Sequence, residues 1–370
     1  MSDSTSSIPR RRQVLDALQP YIQGEGSLPG WDTVIMLSAN ESPYGPSPEA
    51  QQAYLGAVDS IGTYGDGQQI VLRAKLAEIH GLPIDNILCG NGSDELISLL
   101  IRGFLEPGEE IVVSENGFVN TSTHAIVAGG TIVSAAESDW IVDVDRVLAA
   151  ISSRTRIVSI CNPNNPAGTF VGESELQRLI ESVPGHVILH IDEAYAEYAL
   201  LEDRFGSALS FRRGRPNLVV TRTFSKAYGL AGLRIGWLVA DPLVVDAIDR
   251  FRTPFNANTA AQAAAAATID CREWLQQVVE SNREVRENFV IQLKNLGLEL
   301  IPSVTNFVLI RFPVETGKSG SEAYRALKDQ GYIARPAVAG DAYLRISMGT
   351  SQQMQDVARI IGHYLADRTL

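Results

Sequence analysis

From Asn86 onward, short runs rich in Ile, Val and Leu alternate with longer stretches of helical hydrophobic spacing. Runs at 86–89, 111–114, 156–161, 186–191 and 218–221 read as strands, each bounded by turn-forming residues. Their near-continuous apolar character predicts a mostly parallel sheet covered on both faces by helices, one of them Leu96 to Phe104. An alanine-rich stretch, Thr259 to Ile269, has strong helix propensity and reads as a linking helix. Beyond it the pattern predicts a long charged helix ending near Asn295, a strand at 306–311, a helix near 321–330, a strand at 343–347 and a closing helix. The fold class is therefore α/β, with three parts: an arm over 1–36, a large α/β/α domain over 37–258, and a small α+β domain over 259–370 that opens with the linking helix.

Every predicted strand runs into a polar loop. The loops are Gly90 to Glu95, Glu115 to Phe118, Asn162 to Gly168, Asp192 to Tyr195 and Thr223 to Lys226. Ligands of open α/β sheets bind beyond the carboxyl ends of the strands, so five such loops predict one site.

Composition narrows the chemistry. The 370 residues carry 31 Lys plus Arg against 43 Asp plus Glu, and a net charge of −12 disfavours nucleic acid and anionic membranes as partners. No apolar run reaches the roughly 20 residues of a membrane span, and the Ser-rich, basic start has no apolar stretch behind it. Three scattered cysteines, Cys89, Cys161 and Cys271, fit a reducing cytoplasm. The five histidines show no metal-ligand spacing, and neither a dinucleotide fingerprint nor a Walker-type loop is present.

The loop residues point elsewhere. Lys226 follows a strand among small and hydroxylated neighbours, where burial would lower its pKa and make it a nucleophilic amine. Thr223, Ser225 and the Arg234 fork form a phosphate socket beside it, to which the amides of Ser93 and Asp94 can donate from a helix start. A phosphate beside an imine-forming lysine points to pyridoxal phosphate. Asp192 can keep its ring nitrogen protonated, Tyr195 and Asn165 can stabilise its phenolate, and Phe118 can stack on its face. Singly, these are an ordinary helix cap, core aromatics and a turn residue; the case rests on their coincidence.

The stretches Ser38 to Pro48, Tyr64-Gly65-Asp66-Gly67, Asn164 to Gly168, Asp192 to Tyr195, Ser225 to Arg234 and Leu344 to Thr350 make the chain resemble the fold-type I pyridoxal-phosphate aminotransferases, and within them the histidinol-phosphate aminotransferase family. The resemblance spans nearly the whole chain. It implies amino transfer between a small-molecule donor, histidinol phosphate, and the acceptor 2-oxoglutarate, in histidine biosynthesis. By the same resemblance Lys226, Asp192 and Tyr195 are catalytic, and Lys226 moves the proton at the substrate Cα. Tyr64 is the tyrosine lent across a homodimer interface to the neighbour's cofactor phosphate, so the two sites are shared. Arg345 pairs with the substrate carboxylate, and Asn40, Arg335 and Tyr21 stand at substrate positions. The relatives kept as alternatives are an aromatic amino-acid aminotransferase and a phospho-amino-acid decarboxylase. Departures from the family pattern fall at Asn116-Gly117, at Thr121 in place of an aromatic residue, at Ala167, and in the short segment from Arg335 to Arg345.

Overall fold

The computed structural model describes residues 11–18, 25–336 and 340–366. Seven strands form the large sheet: β1 (Ile87–Gly90), β2 (Glu110–Ser114), β3 (Thr131–Ala135), β4 (Thr155–Cys161), β5 (Ile188–Asp192), β6 (Leu218–Thr223) and β7 (Gly236–Val239). Their spatial order is β1-β7-β6-β5-β4-β2-β3. All pair in parallel except β7, which runs antiparallel to both β1 and β6. The five predicted strands are present with ends shifted by up to two residues, while β3 and β7 were not predicted.

Strand alternation builds two cores. Ile111, Val113, Ile157, Ile188 and Val219 enter one layer with Leu96, Leu100 and Ile248. Their sequence neighbours Val112, Val158, Leu189, Leu218 and Val220 enter the other with Leu176, Leu179 and Val147. Adjacent residues therefore feed opposite faces, and the strands lack a polar side because neither face meets water.

The small sheet consists of β8 (Glu299–Ile301), β9 (Phe307–Arg311), β10 (Arg335–Pro336) and β11 (Tyr343–Ser347), all antiparallel, in the order β8-β9-β11-β10. Its core joins Val308, Ile310, Leu344 and Ile346 to Phe289, Leu293, Val357 and Ile361 of the flanking helices. Ile35–Met36 pair in parallel with Tyr332–Ile333, and Leu37 is buried in that same core. The chain is thus anchored on the core of the small sheet before it passes Asn40. The helix Thr259–Thr268, read above as a linking helix, buries Ala261, Ala264 and Ala265 beside Leu72, Leu76 and Trp237, against the large sheet. Alanine stripes permit this close approach, but their sequence does not say which core they join.

One buried ion network fastens the loop after β5 to β6. Arg222 donates to Glu193 at 2.7 and 3.0 Å, lies 3.5 Å from a Glu197 oxygen, and has its guanidinium over the Trp237 ring. Glu193 also accepts from Ser207 Oγ and the Ala208 amide. All three charged residues are at most 5 % exposed, so losing the cation strands two carboxylates without water. Arg222→Ala is expected to cost about 3–5 kcal/mol in urea unfolding; a loss below about 1 kcal/mol would contradict the network's role.

Candidate active site

Asp192 ends β5, the central strand of the large sheet, and is 5 % exposed. Thr221 Oγ1 donates to its Oδ1 at 3.0 Å, and the Cys161 thiol lies 3.9 Å from its Oδ2. Burial pushes its carboxyl up to about 6, against the pull of the Thr221 hydroxyl and the Ala194 amide. A cavity of about 280 Å³ opens onto Asp192, lined also by Phe118, Thr121, Cys161 and Pro166. Such a carboxylate suits a cationic ring nitrogen better than water.

A second cluster gathers at the start of the helix Ser93–Phe104. Arg234 donates from Nη1 to Ser225 Oγ at 3.3 Å, and Thr223 Oγ1 bonds Ser225 Oγ at 3.0 Å while accepting from the Ser225 amide. Gly92 caps the helix in the left-handed region at φ 86°, and a Cβ there would sit 2.6 Å from the Arg234 guanidinium. A Cβ on Gly236 would meet the Ser93 amide nitrogen at 2.5 Å, so the start of the helix lies hard against β7. Arg234 itself holds φ 53°, strain of the kind that collects at ligand sites. The Asp94 carboxylate is occupied by Asn120 Nδ2 and His124 Nε2, both at 3.1 Å, which leaves its backbone amide for an anion.

Between these clusters Lys226 donates from Nζ to the Ala39 carbonyl at 2.9 Å and lies 5.8 Å from the Tyr195 ring centroid. Burial, then the Arg345 charge, push the Lys226 ammonium down to about 8. The Tyr195 hydroxyl accepts from Asn40 Nδ2 at 2.9 Å and Asn165 Nδ2 at 3.4 Å, and burial raises its pKa, so it stays protonated. Arg345 donates to Asn165 Oδ1 at 2.6 Å and to the Ser38 carbonyl at 2.7 Å. Arg335 stands directly opposite Arg345 in the β10–β11 register, on the same face of the sheet. The carboxylate, anion cradle, amine and phenol fit a phosphate-bearing pyridine aldehyde, with Asp192 Oδ2 and the Gly92–Arg234 cradle as the features that most need a ligand.

Not every expected residue converges. Tyr64 is 84 % exposed, stacks on Phe255 at 4.7 Å and, among the described residues, is not bonded to the other expected site residues of its own chain. Tyr21 lies outside the described residues. Asn40, expected at the substrate, donates from Nδ2 to the Tyr195 hydroxyl and accepts at Oδ1 from Ser347 Oγ. Thr121 is buried in the cavity wall behind Phe118, and Ala167 packs against Ile301 and Leu309, where a hydroxyl would have entered an apolar contact. Sequence reasoning missed Glu137, whose carboxylate bonds both Asn116 and Asn164 and joins two site loops. It also missed His190, Thr221 and Ser159 beneath Asp192; their signal was His190 at two residues before Asp192, on one strand face.

The family profile described as "Aminotransferase class I and II" matches residues 32–361. The histidinol-phosphate aminotransferase of Granulibacter bethesdensis is 40% identical over 97% of both chains, and that of Rhodospirillum centenum is 41% identical over 95% of this chain and 97% of its own. The crystal structure of histidinol-phosphate aminotransferase from Sinorhizobium meliloti in complex with pyridoxal-5'-phosphate superimposes with a TM-score of 0.88 at 30% identity, over 98% of this chain and 99% of the other. Matches of that extent, on a site with this geometry, place the chain in the class I and II aminotransferases, within their histidinol-phosphate aminotransferase family.

Proposed function

We propose that the protein is a pyridoxal-phosphate-dependent transaminase that moves the amino group of histidinol phosphate to 2-oxoglutarate, giving imidazole acetol phosphate and glutamate in histidine biosynthesis. The observation that carries the choice of substrates is the cross-strand pair Arg335 and Arg345. Two guanidiniums directly opposite each other on one sheet face favour an anionic group between them. A phosphate monoester on one substrate and two carboxylates on the other supply such a group in both halves of the reaction.

Pyridoxal phosphate, when bound, supplies a carbonyl carbon that takes up the substrate amine and an electron-poor ring that eases Cα–H cleavage. The Gly92 and Ser93 turn, with Thr223, Ser225 and Arg234, would hold its phosphate, and Phe118 would cover its ring. Asp192 would hold a proton on the ring nitrogen, and Tyr195 with Asn165 would donate to the phenolic oxygen. Lys226 Nζ, once free, is the base for the substrate Cα proton, since its lowered pKa leaves a large neutral fraction near pH 8. Arg345 orients the substrate through a bidentate fork that an ammonium does not reproduce.

The surface around Tyr64 supports a homodimer with shared sites. Leu55, Ile61, Val71 and Tyr64 are between 66 % and 84 % exposed, an apolar patch suited to a second copy of the chain. Three free cysteines, two of them buried, fit a reducing cytoplasm.

Single-turnover mixing of the yellow holoenzyme with histidinol phosphate, glutamate, phenylalanine and threonine phosphate tests the reading. Histidinol phosphate and glutamate should bleach the yellow band quickly, and phenylalanine slowly. Faster bleaching by phenylalanine, or carbon dioxide release from threonine phosphate, would overturn the assignment. Cofactor capture by the apo protein should accelerate as pH rises through about 8, because the amine attacks only when neutral and burial lowers its pKa from 10.5. A midpoint above about 10 would place Lys226 in bulk water. Co-expressing Lys226→Ala with Tyr64→Ala should restore about a quarter of the intact sites, since half of the dimers then carry one complete site; no recovery in demonstrated mixed dimers would remove the shared-site arrangement.

A further inference from the structure

Beneath Asp192 lies a chain of polar groups that the transamination scheme does not use. Ser159 on β4, His190 on β5 and Thr221 on β6 occupy three neighbouring strands, with Ser159 opposite His190 and Thr221 opposite Asp192 in the sheet register. Ser159 Oγ is 2.7 Å from His190 Nδ1, His190 Nε2 is 2.9 Å from Thr221 Oγ1, and Thr221 Oγ1 is 3.0 Å from Asp192 Oδ1. All four residues are at most 6 % exposed.

Counting hydrogens fixes the direction of the chain. An ionised Asp192 only accepts, so the single Thr221 hydroxyl hydrogen goes to Oδ1. The Thr221 oxygen must then accept from His190 Nε2–H. Burial pushes the His190 imidazole down to about 3, so the ring is neutral and its Nδ1 has no hydrogen. Nδ1 therefore accepts from the Ser159 hydroxyl. Every donor points toward the carboxylate, and each bond polarises the next.

We propose that Ser159, His190 and Thr221 form a one-way hydrogen-bond relay that keeps Asp192 ionised and turns its Oδ2 toward the cofactor ring nitrogen, which makes His190 and Thr221 positioning residues. The second half of that statement rests on the reading that Asp192 faces the ring nitrogen; the relay's direction does not. Protonating Asp192 on Oδ1 would reverse all three bonds and move the imidazole hydrogen to Nδ1. The relay thus links the charge of the catalytic carboxylate to the tautomer of a histidine that never touches substrate.

Nitrogen-15 NMR tests both halves. In the apo protein at neutral pH, the His190 signals should show hydrogen on Nε2 and none on Nδ1; the opposite tautomer would overturn the relay. In holoenzyme carrying ring-labelled cofactor, the pyridine nitrogen should be protonated in the wild type and in Thr221→Ser, and should lose that proton in Asp192→Asn. Thr221→Val and His190→Leu should shift it toward the unprotonated value and lower kcat/KM by about 10–100-fold, the weight of one hydrogen bond to a charge. If Asp192→Asn leaves the nitrogen protonated, the placement of Asp192 at the ring fails. If Asp192→Asn removes the proton while Thr221→Val and His190→Leu do not shift it, the relay fails and the placement stands.

Discussion

The site depends on a carboxylate that the fold buries at the middle of its sheet. Taking an ionised Asp out of water costs several kcal/mol unless partners replace the lost hydration. Here neighbouring groups replace part of it: Thr221, directly across from Asp192, donates to one oxygen, the Ala194 amide adds to its pull, and the Cys161 thiol lies near the other oxygen. The remaining site groups are arranged around this carboxylate. Phe118 and the cavity lie on its open side, and the loop that continues from it carries Tyr195. The Glu193–Arg222–Glu197 network begins at the very next residue and pins that loop to β6, so the direction of the carboxylate and of the phenol are set by the same buried ions.

Charge is arranged against the molecule's average. At −12 overall, the protein repels anions at a distance, yet Arg234 stands beside Ser225, and Arg335 stands opposite Arg345, around the candidate site. Their attraction is local. With a Debye length of about 8 Å at physiological salt, distant surface acids are screened while groups inside the site are not. The acidic exterior is therefore compatible with anionic ligands.

Much of this was legible in the sequence because the cofactor residues sit in the loops directly after strands, where motif and topology coincide. The strands at 156–161 and 218–221 declared themselves as continuous apolar runs. Thr131–Ala135 did not, because it is the edge strand and mixes exposed with buried positions. Gly236–Val239 follows immediately on the glycine-rich phosphate turn and was absorbed into it. The packing of the helix Thr259–Thr268 beside Leu72, Leu76 and Trp237 was not legible because an alanine stripe carries no preference between two cores. Ser159, His190 and Thr221 were hidden for a different reason: they lie inside strands, and only the register shows that three residues far apart in the chain touch.

Arg345 draws the two sheets into one device. It sits on β11 of the small sheet, yet its fork reaches Asn165 in the loop after β4, so the small sheet contributes to the site beside the large one. Its bonds to Asn165 and Ser38 end on neutral oxygens, and a charge-assisted pair with an anion is about twice as strong as such a bond. The Arg345 charge is, after burial, the main cause of the low Lys226 pKa. An anion bound to Arg345 offsets that charge, so the Lys226 pKa rises once substrate is in place. The sign is useful. Before binding, a lower pKa leaves the amine neutral and ready to attack a carbonyl; after binding, a higher one makes the same nitrogen a stronger base for the Cα proton. One arginine, placed opposite another across a pair of antiparallel strands, thus ties the pKa of Lys226 to whether an anion lies beside it.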